Sequence, residues 1–174
     1  MVTIRCTQKL LRPLAVPKDV DVPRPTTVLG DWYANLFYSR PHQLVLCMNE
    51  RTLSVVLVPA RDSKSLGVRF RDTVAAHLAR LGVPRAAIEA EASAMSEATF
   101  APTASRSLLG CLREAGFALS LEFESQRFSS LAEIELYFSE YIYSPTDYQH
   151  PRDLVLELFG ATGGSSPSDR PRVH

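Results

Sequence analysis

Two β-rich runs, Gln43–Met48 and Thr52–Pro59, stand three residues apart. Each is nearly continuous in apolar residues, without the strict alternation of a strand that faces water on one side. Such runs belong to strands at least partly covered on both faces. Asn49, Glu50 and Arg51 lie between them, and Asn49 is well suited to a turn. The pair predicts a β-hairpin. A hairpin buried in this way needs other elements packed against it, and the rest of the chain supplies mostly helical patterns.

Val2–Cys6 alternates and predicts an N-terminal strand. Thr7 is placed to cap a short helix, Gln8–Leu14, which Pro13 limits. The prolines of Ala15–Thr27 predict an extended loop. In Val28–Ser39, Leu29, Trp32, Tyr33, Leu36 and Phe37 recur at i, i+3, i+4, i+7 and i+8, which predicts a helix. That helix would set Asp31 and Asn35 on one polar line. After a loop over Arg61–Ser65, Leu66–Leu81 reads as a helix closed by Gly82, and Pro84 opens another to about Met95. A short strand is expected around Ala98–Ala101, followed by a cap at Ser105. Two periods compete over residues 117–124. The helical stripe Leu108, Leu112, Ala115, Leu119 and Phe123 is the longer, and it predicts a helix. Ser130–Tyr143 and Pro151–Phe159 read as the last two helices.

These expectations sum to an α+β fold: a small, largely antiparallel sheet of about four strands covered by six or seven helices. Residues 1–159 form one domain, and residues 160–174, rich in Gly, Ser and Pro, read as a disordered tail. A chain of 174 residues can bury about 70% of its surface, so neither a metal nor a disulfide is needed to hold the fold. The apolar runs are too short to span a bilayer, which leaves no membrane role. The first twenty residues hold no apolar core of a secretory signal. Cys6, Cys47 and Cys111 are odd in number and widely spaced, with no CxxC. They read as reduced thiols in a cytoplasmic protein.

Net charge is zero, yet the two halves differ. Through Arg85 there are 13 Lys or Arg and 6 Asp or Glu; beyond it there are 6 and 13. Either the asymmetry marks an interaction face, or the halves pack together and their charges mix. His42, His77, His150 and His174 have no metal-ligand spacing, and His77 reads as a surface or packing residue. The chain carries no HExxH, P-loop, GxGxxG or GxSxG pattern.

Four stretches carry a resemblance: Thr3–Leu11 (TIRCTQKLL), Leu29–Leu36 (LGDWYANL), Asn49–Leu53 (NERTL) and Arg106–Gly110 (RSLLG). Over roughly residues 2–125 the chain resembles a family of uncharacterised bacterial proteins known as a domain of unknown function. The resemblance implies a bacterial, cytoplasmic protein and no particular activity.

Three places are candidate sites. Ser105, Arg106 and Ser107 stand where a strand runs into a helix, and a helix start with two hydroxyls and an Arg suits a phosphate or carboxylate. The plainer reading is a capping Ser105 with Arg106 paired to Asp31 or Glu50. Asp31 and Asn35, with Trp32 and Tyr33, could line a pocket for a planar group, or the aromatics could be core. Glu50 and Arg51 could face a partner from the hairpin tip, or form one surface ion pair of little energetic value.

The reading that follows is a non-catalytic binding or regulatory module for a protein or an anionic small molecule, with no cofactor. Two alternatives stand beside it: an enzyme acting on a phosphorylated or nucleic-acid substrate, and a nucleic-acid binder using the basic half.

Overall fold

The computed structural model describes residues 1–17, 20–143 and 149–161. Most of the tail expected to be disordered, residues 162–174, lies outside the described residues. Five strands form one sheet: β1 (Val2–Cys6), β2 (Trp32–Ser39), β3 (His42–Asn49), β4 (Val55–Pro59) and β5 (Ala98–Pro102). Their order is β4-β3-β2-β1-β5. Strands β2, β3 and β4 are antiparallel, while β1 runs parallel to both β2 and β5. The fold is thus α+β with a mixed sheet, mostly antiparallel when counted by paired residues. Six α-helices accompany it among the described residues: α1 (Gln8–Leu14), α2 (Leu66–Leu81), α3 (Arg85–Ala94), α4 (Arg106–Ser125), α5 (Leu131–Ser139) and α6 (Pro151–Leu158).

Period two divides the core into two layers. Val2, Ile4 and Cys6 of β1, Trp32 and Ala34 of β2, Cys47 of β3 and Val56 of β4 point to one face. There they meet α1, α2 and α3 through residues such as Leu10, Phe70, Val74 and Ile88. Tyr33, Leu46, Met48, Val55 and Leu57 point to the other face, beneath Leu112, Ala115 and Leu119 of α4 and Ile134 and Phe138 of α5. The hairpin is covered on both sides, as its continuous apolar runs predict.

The one misassigned element is 28–39, expected as a helix and found as β2. Trp32 and Tyr33 go to opposite faces, as do Leu36 and Phe37. A strand apolar on both faces generates neighbouring apolar pairs, and these mimic a helical stripe. With β2 in the sheet there are five strands rather than four, and β1–α1–β2 becomes a parallel crossover. The hairpin loop is also longer than expected. Met48 pairs with Val55, so β4 starts three residues beyond Thr52.

Local chemistry fixes the helix boundaries. Gly82 ends α2 with a positive φ of 91°, where a side chain would be strained. The Ser105 hydroxyl accepts from the Leu108 N–H at 3.3 Å and Ser130 from the Glu133 N–H at 3.3 Å, so both cap their helices. Residues 117–124 are helical, within α4. The three cysteines are buried and unbridged, and burial pushes the Cys6 thiol up to about 12. No helix among the described residues is long and apolar enough to cross a membrane.

Candidate functional site

Strands β1 and β5 lie side by side and parallel, with Cys6 opposite Pro102. From the end of β1 the chain enters α1, which packs on the face carrying Ile4 and Cys6. From the end of β5 it enters α4, which packs on the opposite face. In open α/β sheets, adjacent parallel strands whose connections diverge in this way hold ligands at their carboxyl ends. Here that end of β1 and β5 is followed by two helix starts, at Thr7 and at Ser105.

The candidate residues divide between the two ends of β1: Thr7 and Asn35 lie at its carboxyl end, Asp31 and Glu50 toward its amino end. Thr7 caps α1 without a side-chain bond to its helix; its hydroxyl instead donates to Asn35 Oδ1 at 2.7 Å. The Tyr33 hydroxyl interacts with the backbone of Ala104 and Ser105 at the approach to α4. Burial raises the Tyr33 pKa, against the opposing effect of Arg5. Arg5 Nε reaches Asp31 Oδ2 at 3.1 Å. The Asp31 N–H donates to Glu50 Oε1 at 3.1 Å, and the Glu50 N–H donates to the Asp31 carbonyl at 3.1 Å. Asp31 and Asn35 therefore do not share a helical line. Asn35 lies within β2, and Asp31 immediately precedes it.

The expected partnership of Arg106 with Asp31 or Glu50 is not formed. Arg5 takes Asp31, and Glu50 is turned to the Asp31 backbone. Arg106 and Ser107 are exposed, and among the described residues Arg106 has no ion pair. Their N–H groups open α4, where the helix dipole is positive and backbone donors lack intrahelical partners.

Glu50 and Arg51 lean back onto the 28–31 turn, and Arg51 stays exposed there. Arg51 Nη1 donates to the Val28 carbonyl at 3.0 Å. Gly30 sits against both residues with φ +75°, and a Cβ there would fall 2.9 Å from Glu50 Oε1 and from Arg51 Nε. Asn49, fully buried, completes the interlock. Its Oδ1 accepts from the Arg51 N–H, the Thr52 N–H and the Thr52 hydroxyl, and its Nδ2 donates to the Leu29 and Asp31 carbonyls. The LGD and NERTL stretches are thus two sides of one clasp. Trp32 is core, set edge-on to Phe70 at 5.2 Å.

Three buried groups carry no signal in the sequence. Glu91 accepts from the Val28 and Leu29 N–H groups at 2.8 and 3.0 Å. Glu135 accepts from the Leu57 N–H on edge strand β4 at 2.8 Å and from Arg80 Nη1 at 2.6 Å. His77 Nε2 lies 3.0 Å from the Ser54 hydroxyl, and Nδ1 lies 3.9 Å from Glu135. The order Ser–His–Glu resembles a nucleophile relay. Here Ser54, His77 and Glu135 are at most 2% exposed, so the hydroxyl meets no substrate. Arg80 already compensates Glu135, so the His77–Glu135 approach is not an ion pair.

Burial, reinforced by Arg80, lowers the His77 pKa to about 4. The unfolded value is about 6.5, so the unfolded chain binds more protons between these limits. Stability is full above about pH 6.5 and falls by about 3 kcal/mol as the pH drops toward 4. Glu135, raised by its burial, opposes this trend at the acid end. His77→Gln keeps a partner for Ser54 and flattens the profile. Urea midpoints between pH 4 and 7 check this, and an unchanged slope in the variant contradicts it.

A cleft of about 580 Å³ lies at the other end of α4, lined by Arg40, His42, Phe123 and Phe128 among others. The helix start beside it already carries an anion, because Glu133 in the first turn of α5 accepts from the Ser129 N–H and hydroxyl at 2.8 and 2.9 Å. Among the described residues, no group of three His, Cys, Asp or Glu side chains could hold a metal ion.

Residues 3–154 match the family described as a domain of unknown function (DUF6933), and the chain belongs to that family. The match extends beyond the 2–125 of the sequence resemblance, through α5 and into α6. No curated protein and no solved structure matches the chain.

Proposed function

We propose that this member of a family without an assigned activity is a non-catalytic binding module for an anionic ligand, a phosphate or carboxylate held at the start of α4. The observation that carries this reading is the position of Arg106. It is an exposed cation at a helix start, beside the capping Ser105, with both expected internal counter-anions engaged elsewhere. A cation at a positive helix end costs several tenths of a kcal/mol, and a bound anion relieves that cost. The reading is supported by the carboxyl ends of β1 and β5 lying side by side before α4, the end of the strands at which open α/β sheets hold ligands.

The enzyme reading would give Asp31 or Glu50 the role of base. Asp31 is 4% exposed and bound by Arg5, which opposes that role. The nucleic-acid reading draws on the basic N-terminal half, yet many of its arginines are engaged within the protein. Arg5, Arg71, Arg80 and Arg85 pair with carboxylates, while Arg51 and Arg69 bind loop carbonyls. The Arg80–Glu135 pair joins the basic and acidic halves. The buried, unbridged cysteines fit a reducing compartment, in keeping with a bacterial cytoplasmic protein.

Titration of the ¹⁵N-labelled protein with inorganic phosphate tests the site. Amide shifts should concentrate at Arg106, Ser107 and Leu108 and saturate. Shifts scattered over surface arginines, or none, would overturn the reading.

A further inference from the structure

We propose that the outward face of α4 docks a second copy of this chain, the two α4 helices pairing antiparallel about a two-fold axis. The inner face of α4 is spent on the sheet through Cys111, Leu112, Ala115 and Leu119. Its outer face is exposed at Gly110, Arg113, Glu114, Phe117, Leu121 and Glu124. Phe117 is 68% exposed and Leu121 49%, an apolar pair one turn apart in the middle of the helix.

The charges around that pair say which partner fits. Along the helix the face reads Arg113, Phe117, Leu121, Glu124: cation, apolar, apolar, anion. Turned end for end, the same face reads anion, apolar, apolar, cation. At about 100° per residue, Arg113 and Glu124 lie within about 20° of each other on one flank of the apolar pair. A two-fold axis in the interface plane keeps each flank against the same flank of its mate. Arg113 then meets the mate's Glu124, and the contact occurs twice, as isologous pairing requires. Glu114 falls about 100° around from Arg113, on the opposite flank, where Ser125 of the mate stands across from it. Phe117 of each copy packs beside Leu121 of the other. Glu114 is level with the mate's Glu124 but on the opposite flank, where the Tyr141 hydroxyl donates to it at 3.4 Å, so the nearest opposed charges are Arg113 and the mate's Glu124, of opposite sign. One helix pair buries less than the about 1,200 Å² of standard interfaces, so the dimer is weak.

Sedimentation velocity over about 10 μM to about 1 mM, a range suited to weak association, tests the pairing. A monomer–dimer equilibrium is expected, and Phe117→Ser abolishes it. Arg113→Glu and Glu124→Arg each weaken it about tenfold, because each sets like charges against each other twice. The double variant Arg113→Glu/Glu124→Arg restores it to within about threefold of the parent, since complementarity returns. All three positions are exposed, and circular dichroism should show each variant folded. A monomer throughout the range, a dimer indifferent to these changes, or a double variant without rescue overturns the proposal. The phosphate response at Arg106 is independent of this pairing, and the double variant should keep it.

Discussion

Trp32→Ala destabilises the protein by about 3–5 kcal/mol, the range for truncating a large aromatic side chain in a packed core. Trp32 is 1% exposed, lies on central strand β2 between Ile4 of β1 and Asn49 of β3, and packs edge-on against Phe70 of α2. It therefore joins three strands to the helix layer on one face. Neighbours in β2 and β3 are held by sheet hydrogen bonds and cannot close the space. Trp32→Phe removes less volume and costs less than half as much, helped by an indole Nε1 that has no hydrogen-bond partner to lose among the described residues. As the only tryptophan, it reports on itself. Native emission should be blue-shifted, and urea melts of the parent and both variants give the energies. A loss under about 1 kcal/mol for Trp32→Ala would place the side chain outside the core.

Asn49→Ala costs a similar amount, about 3–5 kcal/mol, for a different reason. The amide is the hub of the clasp between the 28–31 turn and the 49–53 loop. Its removal leaves the Arg51 and Thr52 N–H groups and the Leu29 carbonyl without their partner. Each buried orphan costs about 1–3 kcal/mol. Asn49→Asp separates the two halves of the amide. The acceptor side survives, but a carboxylate then faces the Leu29 and Asp31 carbonyls, and about 2–4 kcal/mol is lost. If the aspartate variant matched the parent at neutral pH, the donor bonds of Asn49 would carry none of the clasp.

These two residues also show what the sequence makes legible. The hairpin is evident because β3 and β4 are apolar on both faces, and a run of four to eight such residues has few other uses. The long helices α2 and α4 are evident because each buries one stripe and exposes the rest. The same logic fails at β2. Trp32, Tyr33, Leu36 and Phe37 satisfy a helical spacing while serving two faces of a sheet. The β-preferring character of WYANLFYS is the competing signal, and burial on both sides decides in its favour. Once β2 is a strand, Asp31 and Asn35 leave their supposed helix, and Arg5 becomes the neighbour of Asp31 through the β1–β2 register.

At the candidate site, Ser105 is readable as a cap because a hydroxyl before an apolar helical stripe has a local function. That Arg106 is without an ion pair among the described residues is not readable, since it depends on which carboxylates the sheet brings near. Glu91 and Glu135 are likewise invisible. A glutamate in a helix has the composition of a solvated face, and only the fold reveals that each closes over backbone N–H groups. Burying a carboxylate in that way is tolerable because charge-assisted bonds replace water.

On the reading proposed above, Arg106 and the start of α4 bind an anion supplied from outside the chain. A thermal-shift series in inorganic phosphate and sulfate, run on the parent and on Arg106→Ala, tests it most directly. Without added anion the variant should be as stable as the parent or a few tenths of a kcal/mol more stable, because a cation leaves the positive helix end. Phosphate should raise the melting temperature of the parent and not of the variant, the gain following RT ln(1 + [L]/Kd). Equal responses of the two proteins would contradict it. So would a loss of about 3–5 kcal/mol in the anion-free variant, the signature of an internal carboxylate left without its partner.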